Sequence, residues 1–278
     1  MKSNLQPIKL FLMLAFSSTS LLVGQTSVVG KQTPGSSLSD AYGGLRLRSD
    51  AKTILAQATT FNQPPLPPGP PPGGRSRGGA KRGESAGCPP AEPDLTALTP
   101  FTEENSVINV WGNTTVEHPS WFFYVPYTKN SDYAVEFVLQ DQDSNEVYKK
   151  AIALPDKPGV IRVSLPSAAP ALALNKQYRW FFTINCDKEK NSPPTFVEGV
   201  IQRVDLNPAT VKKLETTELL KRYAIYAQNG IWYEALTTLA ELRQKNPKDA
   251  TLKAEWQDLL KSISLDDIAA KPILSDKP

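Results

Sequence analysis

Cysteine occurs twice and histidine once in 278 residues, at Cys88, Cys186 and His118. A cysteine-based metal centre normally needs four closely spaced ligands, so this chain has too few. Any histidine-dependent catalytic pair or triad would have to use His118, and Ser120 is too near to dock against it if both lie on one strand. His118 precedes Pro119 and reads as a turn residue that shapes the approach to the next strand. Charge of one sign is not in excess either: 31 Lys and Arg face 28 Asp and Glu, a formal net charge of +3. Loss of residues 1–30 would remove Lys2 and Lys9 and no acid, leaving +1. Nucleic-acid binding needs a basic footprint to displace counterions, and a near-neutral body has none. No catalytic or cofactor motif stands out, so the expected cofactor is none.

What is present begins with an export-type N-terminus. Lys2 and Lys9 precede the apolar run Leu10 to Phe16, followed by small and polar residues, the three parts of a secretory signal. The run is shorter than the roughly 20 apolar residues of a membrane span, so no integral span is expected in the mature chain. Residues 1–30 are assigned to the signal. Leu22-Val23-Gly24 and Val28-Val29-Gly30 are both tolerable cleavage sites, while the best A-x-A match, Ala56-Gln57-Ala58, lies far from the apolar run. Processing ending at Ala58 and a disordered leader remnant both remain open.

Residues 64–73 contain seven prolines. With few backbone donors and little apolar side-chain surface, the whole of residues 31–87 is expected to be a disordered tether rather than part of a core. Arg75, Arg77, Lys81 and Arg82 form a basic patch within it. That patch either contacts a partner or an anionic surface or merely keeps the tether solvated. Beyond it, Cys88 and Cys186 form one disulfide by default in an oxidising compartment, and two unpaired thiols are the alternative.

Residues 88–206 change to short alternating runs. Tyr133, Val135, Phe137 and Leu139 share one face and Glu136 and Gln140 the other, the period of a half-buried strand. Val147–Ile152, Ile161–Leu165, Tyr178–Ile184, Val107–Trp111 and Phe196–Val204 add further strands. Trp121–Val125 is apolar on both faces and bracketed by prolines, as in a strand covered on both sides. Seven strands at this spacing predict an antiparallel β-sandwich of immunoglobulin or fibronectin type. The stretch Leu172–Trp180 resembles the fibronectin segment in which a tyrosine, here Tyr178, closes a strand corner. Asp141, Asp143 and Asn145 match the first half of a calcium loop. Glu146 then stands at the glycine position and Ile152 at the bidentate glutamate position, so the segment is read as a hairpin turn and no metal site is expected.

Helical periodicity takes over at residues 207–270. Asn207 is a helix cap with Pro208 at the first helical position, and Leu214, Leu219, Leu220 and Tyr223 are expected to supply apolar faces up to Asn229-Gly230. Further helices carry Leu236, Leu239 and Leu242, and then Leu252, Trp256, Leu259 and Ile263. Leu219, Tyr226, Gly230, Ala235, Leu239 and Pro247 resemble the large, large, Gly, small, large and Pro positions of one tetratricopeptide unit. A single unit cannot build the concave surface of an array, so a helical hairpin packed on the sandwich is expected. The fold class is therefore α+β.

In combination, Arg75–Ala80, Cys88-Pro89, Leu95–Pro100, His118–Tyr127, Tyr178-Arg-Trp180, Gly199–Arg203, Tyr223-Ala224 and Gly230–Leu236 resemble a family of exported cyanobacterial proteins, domain-of-unknown-function family 928. The resemblance implies export and brings no activity with it. The expectation is a non-catalytic interaction or structural module of the periplasm or cell envelope, or a secreted one, binding a protein or polymer. The alternative is a hydrolase of envelope polymers using carboxylates such as Asp132, Glu136 or Glu198, because paired acids need no visible motif.

Overall fold

The computed structural model describes residues 60–78, 88–104, 106–187 and 192–275. The signal assignment at 1–30, the tether residues 31–59 and 79–87, and with them Lys81 and Arg82, lie outside the described residues. What is described is an α+β body: a β-sandwich followed by C-terminal helices.

The strands are β1 (Thr96–Ala97), β2 (Phe101–Glu104), β3 (Val107–Thr114), β4 (Ser120–Val125), β5 (Ala134–Gln140), β6 (Glu146–Ala151), β7 (Gly159–Ser164), β8 (Gln177–Asn185) and β9 (Thr195–Arg203). They form a three-stranded sheet in the order β1-β4-β7 and a six-stranded sheet in the order β2-β3-β9-β8-β5-β6. The seven runs expected from the sequence are all strands, and the two short strands β1 and β2 join them. One pairing departs from the antiparallel expectation: β3 and β9 run parallel, Trp111 opposite Val200. A parallel pair needs a long crossover, and the whole excursion from β4 to β8 supplies it.

Period-two burial follows from this order. Along β5, Val135, Phe137 and Leu139 are buried, and along β8, Tyr178, Trp180, Phe182 and Ile184 are. Phe123 of β4 meets them from the other sheet, stacked on Phe182 at 4.4 Å and edge-on to Trp180 at 5.6 Å, while Trp121 lies 4.9 Å from Phe137. Burying each such ring stabilises the fold by about 2–3 kcal/mol. Trp180 has room because its cross-strand partner is Gly199, where a Cβ would come within 2.5 Å of the indole. Every residue of β4 is buried, as its two apolar faces require. Its other face meets the helices, with Phe122 and Trp256 edge-on at 6.5 Å.

The helices are α1 (Pro208–Thr216), α2 (Leu219–Gln228), α3 (Trp232–Lys245), α4 (Ala250–Lys261) and α5 (Asp266–Ala269). Asn207 caps α1 by accepting the Thr210 amide at 2.8 Å. The expected single helix from 208 to 228 is broken at Thr217-Glu218, whose ψ values of 139° and 142° are extended. The break has a local cause: the Thr217 hydroxyl donates back to the Lys213 carbonyl, and the Thr217 carbonyl accepts Arg222 Nε, so side chains replace the helix's own bonds. Its effect is a change of phase, and Leu219 and Leu220 face outward instead of into the core. The tight turn between α2 and α3 holds Gly230 at φ +73°, in the left-handed region that glycine tolerates. Trp232 and Tyr233 at the start of α3 fill the side of the sandwich. Tyr233 is 5.9 Å from Trp121, and its hydroxyl accepts Trp180 Nε1, so it touches both sheets.

The described part of the proline-rich segment is not a free tether. Residues 60–78 lie along the body as a strap. Phe61 is 6% exposed, its ring stands edge-on to Trp232 at 4.9 Å, and its amide donates to Ser262 Oγ. Asn62 N–H donates to the Ala227 carbonyl, and further on Gly73, Arg75, Ser76 and Gly78 exchange backbone hydrogen bonds with Val110, Glu198, Ala97 and Leu95. Prolines cannot donate, but their carbonyls accept: Pro72 O takes Arg179 Nη2 at 2.6 Å. The segment has few donors of its own, and the body supplies the missing ones, which is why these residues are ordered where their composition predicts disorder.

Candidate functional site

The two cysteines are brought together. Cys88 and Cys186 form a disulfide across 98 residues, tying the segment that leads into β1 to the end of β8. Beside it, the Tyr127 hydroxyl donates to the Pro89 carbonyl, and the ring stands edge-on to Tyr133 at 5.5 Å. Burial, with the nearby Asp94 charge, pushes the Tyr127 phenol up to about 12.

The basic residues fare differently. Arg77 makes a bidentate pair with Asp267 at the start of α5, both bonds 2.7 Å long. The guanidinium holds the Asp267 carboxyl below its ordinary value, and that carboxylate in turn raises Arg77. Arg77 is therefore paired within the fold. Arg75 lies over the Phe196 ring, 4.6 Å from its centroid, while its backbone bridges Glu198. Both residues fasten the strap. Arg77, Glu92, Asp94, Asp267 and Lys271 line a surface depression of mixed charge.

The carboxylates named for a hydrolase are each engaged. Glu136 pairs with Lys149 across β5 and β6 at 2.7 Å, and Glu198 lies 3.5 Å from Arg179. Asp132 stands at φ +50°, ending a short 3-10 turn over Lys129–Ser131. His118 Nε2 lies 3.1 Å from the Ala169 carbonyl and does not meet Ser120, whose hydroxyl pairs with Ser164 and accepts Arg162 Nε. The Asp141 carboxylate collects the amides of Asp143 and Asn145 and the Asn145 side chain, which is the hairpin-turn arrangement. Among the described residues no cluster of His, Cys, Asp and Glu could hold a metal ion, and no helix is long and apolar enough to cross a membrane.

Two features had no clear signal in the sequence. Glu234, in the first turn of α3, is buried where the helix meets the end of β3. Its Oε1 accepts the Thr114 hydroxyl at 2.6 Å and the amides of Thr115 and Val116, while Oε2 has no hydrogen-bond partner among the described residues. Burial raises its pKa, although these donors partly offset the rise. The second feature is the corner between α1 and α2. Leu219 is 53% exposed, Leu220 51% and Val211 40%, with exposed Lys212, Lys213 and Lys221 around them. Apolar side chains this exposed and this close in sequence mark a contact surface when they cluster. Helical periodicity alone had placed the two leucines in the core.

No curated protein matches the chain. A family model described as Domain of Unknown Function (DUF928) matches residues 77–273, from the arginine that fastens the strap to the isoleucine bridged to Val160. Since the match spans both sheets and the helices that pack on them, this chain belongs to the DUF928 family.

Proposed function

We propose that this protein is an exported, non-catalytic interaction module of the cell envelope that binds a protein or polymer partner through the α1–α2 corner. The observation that carries this reading is the outward display of Leu219 and Leu220 on a disulfide-braced body. The disulfide also favours an oxidising compartment such as a periplasm or the cell exterior, in keeping with the signal-like N-terminus. Resemblance to exported cyanobacterial proteins points the same way. The fibronectin likeness gains support from the Tyr178 hydroxyl, which accepts the Ala173 amide five residues upstream. The tetratricopeptide likeness draws on buried Ala235 and Leu239 and on left-handed Gly230, but exposed Leu219 departs from it. The hydrolase alternative is less favoured because Glu136 and Glu198 are each held by a cation.

The test is photo-crosslinking in the native envelope through a probe at position 220, with a control probe at exposed Val107. The reading predicts one saturable adduct at position 220, absent from the control and lost in a Leu219→Glu variant. Equal labelling from both positions, or no adduct at 220, would count against it.

A further inference from the structure

The strap fills a gap that the two sheets leave between them. β3 and β9 pair only from Trp111 opposite Val200 to Thr114 opposite Arg203, so Val110 and Glu198 have no partner in each other's strand. β1 is two residues long and pairs with β4 along one side. Edges of both sheets therefore face the gap, and residues 73–78 run through it as an added strand. Val110 N–H donates to the Gly73 carbonyl, Arg75 and Glu198 exchange both of their backbone bonds, Ala97 N–H donates to the Ser76 carbonyl, and Gly78 N–H donates to the Leu95 carbonyl. In strand addition such main-chain bonds give affinity, and the seating of alternate side chains gives specificity. Here that seating is narrow. A Cβ on Gly74 would lie 2.8 Å from the Glu198 carbonyl oxygen and 2.9 Å from Val110 Cβ, and one on Gly78 would lie 2.7 Å from Thr195 Cγ2. Ser76, between the two glycines, is buried. The alternate positions take cations: Arg75 lies over the Phe196 ring, and Arg77 makes its bidentate pair with Asp267.

We propose that the gap between β9 and β1 is a strand-addition site for an extended Gly-Arg-small-Arg-Gly segment of another protein, and that residues 74–78 occupy it in cis. The walls select this chemistry: two positions admit no Cβ, Phe196 offers a ring face to a guanidinium, and Asp267 offers a carboxylate to the second one. Occupancy in cis keeps the site closed in the wild-type chain, because a tethered segment competes at an effective concentration on the order of millimolar. The tether's other anchors, Phe61 on Trp232 and the Cys88 disulfide, lie outside residues 74–78 and do not themselves hold the segment in the gap. A second copy of this chain would make only the bonds its own strap already makes, at the added cost of association, whereas a different protein adds contacts beyond these five residues. The site is distinct from the α1–α2 corner and does not rest on it.

The test uses the oxidised full chain and a fluorescent synthetic peptide with the sequence of residues 72–78, read by anisotropy. Gly74→Ala, which unseats the cis segment, is expected to bind the peptide about tenfold or more tighter than the wild-type chain does. Arg77→Glu leaves every wall of the gap intact and is expected to do the same, so the outcome does not hang on the folding of one variant. Hydrogen exchange locates the site: the amides of Ala97, Val110 and Glu198 should exchange faster in both variants and slow again when peptide is added. A peptide with alanine at the position matching Gly74, or with glutamate at that matching Arg77, should bind about tenfold or more weakly. Continued protection of the three amides in both variants would overturn the proposal, because the segment would then be a fixed strand of the fold. Amides that open but gain no protection from the peptide would overturn it too, as would equal binding of the alanine peptide. A one-to-one complex of Gly74→Ala with the wild-type chain that excess peptide does not dissolve would give the gap to a second copy and overturn its assignment to another protein.

Discussion

At the scale of single residues, the body is held by a few polar groups whose protonation depends on burial. Glu234 has a raised pKa in the fold, so its contribution to stability is fully present below its unfolded value of about 4.3 and is lost as pH rises through the folded value. The urea midpoint of the native protein should therefore fall as pH is raised from 4 towards 8, and Glu234→Gln, which cannot ionise, should flatten that slope. Glu234→Ala strands the Thr114 hydroxyl and two backbone amides and should cost about 2–4 kcal/mol in equilibrium unfolding. Asp267 behaves in the opposite sense. Its pKa is lowered by Arg77, so its contribution is present above about pH 3.9 and lost as pH falls through the folded value. Both side chains are partly solvated, so Asp267→Asn should change global stability by less than about 1 kcal/mol. Its clearer effect should be faster amide exchange at Gly78 and Ala97, where the strap meets β1.

At the scale of elements, Phe61 and Gly74 decide whether the strap stays down. Phe61→Ala removes a ring from a site at the edge of the helices and should cost about 2–4 kcal/mol in a urea melt. Gly74 sits at φ +130°, and a Cβ there would lie 2.8 Å from the Glu198 carbonyl oxygen, so Gly74→Ala should detach residues 73–78 and expose them to protease while the sheets persist. The strands from β3 to β9 were legible because alternation at 135, 137 and 139, or at 178, 180, 182 and 184, reports burial directly. The fully apolar β4 was legible as a doubly covered strand for a different reason, a continuous apolar run bracketed by Pro119 and Pro126. The strap was not legible, since a polyproline-like segment has no hydrophobic period and is held by one ring and by backbone bonds to partners outside any local pattern, from Leu95 and Ala97 to Glu198 and Ala227. The outward turn of Leu219 and Leu220 was hidden for a different reason: two side-chain bonds around Thr217 break the helix and shift its phase, and no count of apolar spacing registers them. The Arg77–Asp267 pair joins residues 190 apart, beyond the reach of any local pattern.

At the scale of the whole molecule, the disulfide and the strap brace one body, and the α1–α2 corner is what that body presents. Replacing Cys88 and Cys186 with serine should lower stability by about 2–5 kcal/mol, read as a reduced urea midpoint that added reductant does not lower further. Leu220→Glu should leave that midpoint within about 0.5 kcal/mol, because its side chain already lies in solvent. Stability and binding are separable at this corner through Leu219 and Leu220, whose side chains are exposed, whereas Leu214 and Tyr223 beside them are buried. The most direct measurement is hydrogen exchange of the intact oxidised protein with and without solubilised envelope material from its own cells. Slower exchange confined to residues 211–222, with α3 unchanged, is the result expected of an interaction module that binds through this corner. Unchanged exchange at 211–222, or protection centred on the depression around Arg77 and Asp267 instead, would contradict it.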